Sequence, residues 1–181
     1  MIRVGGGRWR GRLLAAPRGE TVRPTSALVR GALFSLLGAR LAGAEVADLC
    51  CGAGALGIEA LSRGAARVHF VDRAAEALRF TRANLERVGA EPASWTLRRE
   101  DAVRWLARCP PPGDGRAWII LADPPYAADT AARLLAAARE LPAQLAVAVV
   151  ALEHDAAAAL PLEPPPGRFA VRQRRYGDTA L

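Results

Sequence analysis

Residues 46–57 read Val-Ala-Asp-Leu-Cys-Cys-Gly-Ala-Gly-Ala-Leu-Gly, an apolar run that leads into a Gly-x-Gly-x-x-Gly motif. The apolar run at 46–49 predicts a buried strand, and the stretch at 55–63 predicts a helix. Glycines between them let the backbone turn sharply and approach a ligand closely. The helix that follows offers free N–H groups and a positive dipole end to that ligand. This stretch therefore predicts a strand, a loop and a helix that bind a cofactor.

Strands and helices are predicted to alternate along the rest of the chain. Short apolar runs predict strands at 68–71, 95–97, 118–121 and 145–152. Amphipathic stretches predict helices at 74–88, 102–108 and 128–140. Parallel strands need crossovers of about a dozen residues, and the helices supply them. The predicted fold class is therefore α/β, a doubly wound and mostly parallel twisted sheet with helices on both faces.

A small extension is predicted ahead of this fold. Residues 1–17 predict a short hairpin with several glycines near its turn. Ser26 predicts the N-cap of a helix that ends near Gly38. We therefore expect a basic N-terminal hairpin extension over 1–25 and a cofactor-binding domain over 26–181.

Composition excludes several classes of protein. With 51% hydrophobic residues and a net charge of +7 over 181 residues, the chain is predicted to be globular rather than disordered. Its longest apolar run, 145–152, is far shorter than the ~20 residues of a spanning helix, and no apolar signal core follows the basic N-terminus. Cys50, Cys51 and Cys109 show no Cys-x-x-Cys spacing, so neither disulfides nor a metal site is predicted. We expect a cytoplasmic monomer with no membrane partner.

Acidic residues follow three of the predicted strands. Asp72 ends the second strand of the sheet, where a carboxylate in this kind of fold accepts the hydroxyl hydrogens of a ribose. With these residues alone, NAD and S-adenosylmethionine fit the glycine loop equally well. Asp48 favours S-adenosylmethionine, because a carboxylate beside a pyrophosphate is unfavourable but suits an ammonium and a sulfonium group. Asp101 follows the third strand, where we expect it to meet the adenine amino group.

The predicted cofactor site combines the glycine loop with these acids and their neighbours. Cys50 and Cys51 are predicted to be small packing residues, because no base lies near them in the sequence. The candidate cofactor-binding residues are Asp48, Cys50, Gly52, Gly54, Gly57, Asp72, Arg73, Asp101, Ala102 and Asp123.

The most specific motif is Asp123-Pro124-Pro125-Tyr126, which follows the fourth predicted strand. An exocyclic amino group on a base is a poor nucleophile, because its lone pair is delocalised into the ring. Two acceptors that hold its N–H bonds free that pair, and we expect the Asp123 carboxylate and the Pro124 carbonyl to be those acceptors. They also stabilise the positive charge that develops on nitrogen. Tyr126 is expected to stack on the extruded base. All four residues are candidate catalytic residues.

Positive charge is concentrated at the two ends of the chain, and all 25 basic residues are Arg. Residues 1–30 hold seven Arg against one acid, and residues 168–181 hold four against one. Guanidinium groups interleaved with glycine and Trp suit phosphates and a base, so we predict that both ends bind RNA. The alternatives are solvated surface charges and, for Trp9, a place in the core of the hairpin. The candidate RNA-binding residues are Arg3, Arg8, Trp9, Arg10, Arg12, Arg23, Thr25, Arg30, Arg175 and Tyr176.

These motifs together resemble the RsmD-type bacterial methyltransferases, which modify the N2 amino group of a guanine in 16S ribosomal RNA. The resemblance covers nearly the whole chain. Besides Asp123-Pro-Pro-Tyr126, it is carried by Arg3-Val4-x-Gly-Gly-x-Trp9-Arg10-Gly11-Arg12, Arg23-Pro24-Thr25, Val29-Arg30-x-Ala-Leu-Phe34, Gly54-Ala-Leu-Gly57-Ile-Glu-Ala-Leu-Ser62-Arg63-Gly64-Ala65 and Arg175-Tyr176-Gly177-Asp178-Thr179. It departs from the family at Cys50-Cys51, where Phe-Ala is usual, and at Asp72, where Glu is frequent.

The resemblance implies a Rossmann-like class I methyltransferase fold and S-adenosyl-L-methionine as methyl donor, with S-adenosyl-L-homocysteine as product. It implies 16S rRNA as substrate, within the 30S subunit or an assembly intermediate. Three alternatives stay open. The tetrapeptide alone also fits adenine-N6 methyltransferases, the glycine loop fits an NAD(P)-dependent oxidoreductase, and the basic ends fit an RNA-binding or ribosome-assembly module.

Overall fold

The computed structural model describes residues 1–17, 26–113, 116–125, 129–160 and 170–181. In chain order its strands are β1 (Ile2–Arg3), β2 (Leu13–Leu14), β3 (Glu45–Leu49), β4 (Arg67–Asp72), β5 (Trp95–Arg99), β6 (Trp118–Ala122), β7 (Val147–Leu152), β8 (His154–Asp155), β9 (Arg175–Tyr176) and β10 (Thr179–Ala180). Its α-helices are α1 (Ala27–Leu37), α2 (Ala55–Ser62), α3 (Ala75–Val88), α4 (Ala102–Ala107) and α5 (Thr130–Arg139). Every strand and helix predicted for the α/β domain is present, with bounds within three residues of the prediction.

The central sheet has five parallel strands in the order β5-β4-β3-β6-β7. The chain enters at the centre, winds outward through β4 and β5, and then returns to start the other half at β6. The strand order therefore reverses between β3 and β6. In doubly wound sheets, ligands bind at the carboxyl ends of the strands beside this switch point. The structure confirms the predicted doubly wound α/β fold.

Alternate residues of each central strand face opposite sides of the sheet and enter two separate cores. On β3, Val46 belongs to the core formed with the N-terminal hairpin, α1, α2 and α3, whereas Leu49 belongs to the core formed with α4 and α5. Helices thus cover both faces, as the sequence predicts. Ser26 caps α1 by accepting a hydrogen bond from the backbone N–H of Val29, at 3.1 Å.

The short strands β8, β10 and β9 form a small antiparallel sheet that the sequence did not predict. Each has two residues, which is too short for an alternating pattern to be recognised. Within the described ranges, no helix has the length and apolarity needed to span a membrane. The same residues contain no group of His, Cys, Asp and Glu side chains suited to holding a metal ion.

Candidate active site

The glycine loop between β3 and α2 packs tightly against the neighbouring strand. A Cβ built on Gly57 would lie 2.3 Å from Cε1 of Phe70, and one built on Gly54 would lie 2.8 Å from Cγ2 of Thr81. At Gly52, by contrast, no described atom lies within 4 Å of the added Cβ, and the φ angle is +54°. The last two glycines of the motif are therefore required for packing, while the first leaves open space above the loop.

Asp48 lies beneath this loop rather than in it. Its side chain is 1% exposed, and its Oδ2 accepts a hydrogen bond from the backbone N–H of Gly57 at 2.8 Å. Burial raises the pKa of Asp48 to about 7, with Asp123 and Asp72 adding to the rise and the Gly57 bond opposing it. In this structure the carboxylate of Asp48 is enclosed and holds the first turn of α2, and its contact with a ligand stays a prediction.

Asp72 and Asp101 stand at the carboxyl ends of the next two strands, as predicted. Asp72 is half-buried; its Oδ2 accepts the N–H of Gly52 at 3.0 Å and its Oδ1 accepts the N–H of Ala74 at 2.8 Å. Asp101 caps α4 by accepting the N–H of Arg104 at 2.9 Å. Both side chains are therefore held by backbone groups in fixed orientations at the edge of the sheet. The neighbouring candidates Arg73 and Ala102 differ in exposure, since Arg73 is exposed and Ala102 is buried.

Cys50 lies among all of these acids. It is the one non-glycine residue of the described chain with a positive φ, at 57°. Burial, together with the nearby carboxylates of Asp72, Asp48, Asp123 and Asp101, raises the pKa of its thiol to about 12. Because four carboxylates act electrostatically on the same thiol, the structure brings the four predicted acids together around one loop. The raised thiol pKa values of Cys50 and Cys51 favour packing roles over reactivity.

The tetrapeptide leaves β6 beside this cluster. The backbone N–H of Asp123 points to the carbonyl of Leu49, the last residue of β3, at 3.4 Å. Asp123 is half-buried, Pro124 is buried and Pro125 is exposed. Tyr126 lies outside the described residues. The glycine loop and the first residues of the tetrapeptide therefore stand side by side at the switch point.

A cavity of about 180 Å³ opens beside the tetrapeptide, on the side of β7. Pro124 and Pro125 form one part of its wall, and His154 and Asp155 of β8 form another. Sequence analysis did not select His154 or Asp155. The available signal was the one that selected Asp72 and Asp101, namely polar residues directly after a strand that ends at the ligand-binding edge.

The N-terminal hairpin is docked on α2. Arg8 donates its backbone N–H to the carbonyl of Ser62 at 2.8 Å, and the N–H of Trp9 is bonded to Oγ of Ser62 at 2.9 Å. A Cβ at Gly7 would lie 1.9 Å from the same carbonyl oxygen. These bonds join the N-terminal motif to the motif that follows the glycine loop.

Two predicted RNA-binding side chains are buried in this junction. Trp9 is 8% exposed and belongs to the core shared with α1 and α2. Arg30 is 5% exposed; it pairs with Oε2 of Glu59 at 3.0 Å and donates to the carbonyl of Arg3 at 2.7 Å. In this structure Trp9 fills core volume and Arg30 neutralises the buried Glu59, so their contact with RNA stays a prediction.

The other basic candidates are accessible where the structure describes them. The exposed ones are Arg3, Arg8, Arg10, Arg12 and Arg175, and Tyr176 is half-buried. The guanidinium of Arg8 lies 4.1 Å from the centre of the Trp9 ring. Arg23 and Thr25 lie outside the described residues. The exposed face of the hairpin is thus cationic, while its inner face is part of the core.

Comparison with known proteins supports one family. A family model described as conserved hypothetical protein 95 matches residues 2–181. The Bacillus subtilis protein named "Putative rRNA methyltransferase YlbH" is 33% identical over 180 residues, covering 99% of this chain and 96% of that protein. Ribosomal RNA small subunit methyltransferase D of Escherichia coli K12 is 35% identical over 125 residues, or 69% of this chain and 60% of that protein. The solved structure "Putative methyltransferase yhhF" from Escherichia coli has a TM-score of 0.79 at 27% identity, covering 99% of this chain and 94% of that one.

Proposed function

The chain belongs to the family described as conserved hypothetical protein 95, the RsmD family of rRNA methyltransferases, and we propose that it methylates the exocyclic N2 of a guanine in 16S rRNA. The methyl donor in this proposal is S-adenosyl-L-methionine, and the substrate is the 30S subunit or an assembly intermediate. The observation that carries the proposal is the convergence of four carboxylates on the Cys50 loop, one of which, Asp123, begins the tetrapeptide and is followed directly by Pro124.

The chemistry of the loop fits this cofactor. Asp48, Asp72, Asp101 and Asp123 supply negative charge, which favours an ammonium and a sulfonium and disfavours a pyrophosphate. Gly52 leaves space above the loop that a side chain would fill. The chain offers Asp72 for the ribose hydroxyls and Asp101 for the adenine end. A cationic ligand favours the ionised form of the buried Asp48, whose pKa is raised to about 7 without it.

When bound, S-adenosylmethionine supplies an electrophilic methyl group. The protein's task is then to present the amino nitrogen with its lone pair free. In our proposal the Asp123 carboxylate and the Pro124 carbonyl accept the two N–H bonds of the amino group. Because Asp123 is half-buried rather than solvated, its charge acts strongly on the nitrogen. Its carboxylate is also the nearest acceptor for the proton that the nitrogen loses.

The test is methyl transfer into small subunits from cells that lack the protein. Purified protein and methyl-labelled S-adenosylmethionine are added, and the nucleosides of the digested 16S rRNA are identified by mass spectrometry. We expect N2-methylguanosine at one position. Asp123→Ala should lower the rate at least about 100-fold, because one acceptor of the amino group is lost, while its affinity for the cofactor should fall far less, because Asp48, Asp72 and Asp101 remain at the loop.

The matched control is Glu86→Gln, which removes an exposed carboxylate near the carboxyl end of α3, away from the site. It should leave the rate unchanged. Methylation of an adenine would transfer the proposal to adenine-N6 chemistry, and an active Asp123→Ala variant would overturn the proposed role of Asp123. Transfer to no nucleotide by the unaltered protein would contradict the function itself.

A further inference from the structure

The cavity beside Pro124 and Pro125 is close to the reacting group but separate from the glycine loop. Its volume of about 180 Å³ is below the roughly 300 Å³ at which sites for larger ligands begin, so it suits a single flat ring rather than a whole cofactor. In the proposed function, a base held by Asp123 and Pro124 borders this space, because Pro124 forms part of the cavity wall. The residues on the remaining wall are therefore placed to read the edge of that base.

The position of this wall relative to the tetrapeptide is fixed by strand pairing. Ala122 and Leu152 are register partners at the ends of β6 and β7. Directly after them, Glu153 donates its backbone N–H to the carbonyl of Ala122 at 2.9 Å. Asp123 and β8 thus leave the sheet next to each other, and Asp155 comes two residues after this bond.

The wall is also held from behind by the small antiparallel sheet. Asp155 is the register partner of Thr179, and the N–H of Ala156 is bonded to the carbonyl of Asp178 at 2.9 Å. The motif over 175–179, which the proposed catalysis does not use, therefore supports β8. His154 is 4% exposed and its Nδ1 donates to the carbonyl of Asp155 at 2.7 Å, since a carbonyl only accepts.

These bonds also orient the Asp155 side chain. Its Oδ1 accepts the N–H of Ala157 at 2.8 Å, and the residue is half-buried at the cavity wall. Asp129 is the other acid on the wall. It is exposed, and it precedes α5 without a side-chain capping bond. Asp155 is therefore the acid whose carboxylate is pre-positioned by the backbone.

We infer that Asp155 selects guanine, by accepting the N1–H of the base whose N2 is held by Asp123 and Pro124. The inference rests on the proposed function and assigns its specificity. Guanine presents N1–H and the N2 amino group as adjacent donors, and a carboxylate only accepts. Adenine presents an N1 lone pair beside its amino group, so Asp155 repels it. A base drawn out of its stack is read in this way, through its Watson–Crick edge.

The test uses 2-aminopurine, which keeps the 2-amino group of guanine but has a lone pair in place of N1–H. A synthetic fragment with guanine or 2-aminopurine at the methylated position is ligated into 16S rRNA, and small subunits are reconstituted. We expect the unaltered protein to methylate guanine at least about tenfold faster than 2-aminopurine. Asp155→Asn should reduce methylation of guanine and raise that of 2-aminopurine, because the Asn amide donates to the N1 lone pair while its oxygen still accepts from Ala157.

Two further variants separate recognition from structure. Asp155→Ser keeps an acceptor for Ala157 but reaches less far, and should lower the preference for guanine without a gain on 2-aminopurine. Asp129→Asn should leave the preference unchanged. Equal effects of Asp155→Asn on both bases, or a change of preference in Asp129→Asn instead, would overturn the inference while guanine methylation by the unaltered protein upholds the proposed function. If the unaltered protein methylates neither base, the proposed function fails, and the inference with it.

Discussion

Glu45 and Asp48 lie three residues apart on β3, at opposite ends of the sheet, and their pKa values shift in opposite directions. At the amino end, Oε1 of Glu45 is 2.8 Å from Nε2 of His69, and Oε2 accepts the N–H of Gly113 at 2.7 Å. Burial alone would raise the pKa of Glu45, but these two bonds outweigh it and the pKa is lowered. Burial lowers the pKa of His69. Nδ1 of His69 is in turn hydrogen-bonded to Oγ1 of Thr96, at 2.9 Å.

At the carboxyl end, other acids lie near Asp48. One backbone N–H meets its carboxylate, and burial together with Asp123 and Asp72 raises its pKa to about 7. The two edges therefore differ in how their acids are stabilised. Acids at the amino edge are paired within the protein, whereas those at the carboxyl edge are gathered near one another, which is an arrangement that a cationic ligand stabilises.

The largest expected effect is on the pH dependence of stability in Asp48→Asn. The pKa of Asp48 is higher in the folded chain than in the unfolded chain, so the native protein loses stability as pH rises from about 4 to about 7. The Asn variant keeps the acceptor for Gly57 but has no charge to bury. The free energy of unfolding of the variant should therefore rise relative to that of the native protein, by as much as about 4 kcal/mol. Urea denaturation at several pH values measures it, and parallel curves would contradict the raised pKa.

The next largest effect separates two glycines of one loop. Gly57→Ala places a Cβ against the ring of Phe70 and should cost about 3 kcal/mol of stability. Gly52→Ala meets open space and should cost about 1 kcal/mol, from its positive φ alone. Its main effect should be on cofactor affinity. Thermal melting and calorimetry of both variants distinguish packing from ligand contact, and a stable Gly57→Ala variant would contradict the packing role.

A smaller effect of opposite sign is expected at the amino edge. Glu45→Gln removes the charged acceptor of His69 and should cost about 1 kcal/mol at neutral pH. Because the pKa of Glu45 is lowered in the folded chain, its stabilising contribution is present above its unfolded pKa and is lost as pH falls. The difference in the free energy of unfolding between Glu45→Gln and the native protein should therefore become smaller in acid. The difference between Asp48→Asn and the native protein should also become smaller there. A pH-independent difference would mean that the charge of Glu45 is unimportant.

The smallest effect on stability is expected from the exposed arginines of the N-terminal hairpin, which is docked on α2. Arg10→Gln with Arg12→Gln should leave stability and cofactor affinity nearly unchanged, because both side chains lie outside the core. RNA binding should weaken, and its dependence on salt should flatten by a slope of about one to two. Arg8 is left intact because its guanidinium stacks on Trp9. An unchanged salt slope would mean that the hairpin does not contact RNA.

The strands and helices of the α/β domain could be predicted from the sequence because each one has its own pattern of apolar residues and is bounded by residues typical of turns and loops. The sequence also predicted that the acids at the carboxyl ends of β3, β4, β5 and β6 share one edge, since parallel topology requires it. It did not predict which way those acids face. Only the structure shows that the carboxylate of Asp48 is enclosed, because the residue is 1% exposed and its Oδ2 accepts the N–H of Gly57.

The N-terminal region shows the opposite limit. A cluster of Arg, Gly and Trp has the composition of an RNA-binding segment, yet composition cannot separate the two faces of a hairpin. Trp9 and Arg30 face inward because α2 binds both of them: Ser62 accepts the backbone N–H of Trp9, and Glu59 pairs with the guanidinium of Arg30. The cavity wall at His154 and Asp155 was missed although both residues follow β7, whose carboxyl end lies at the same edge of the sheet.

The central claim is that the carboxyl edge of this sheet is built for a cationic cofactor, and calorimetry tests it directly. S-adenosylmethionine and NAD are titrated separately into the same protein at neutral pH. The account predicts that S-adenosylmethionine binds and that NAD gives no measurable heat of binding. Binding of NAD without binding of S-adenosylmethionine would contradict the account.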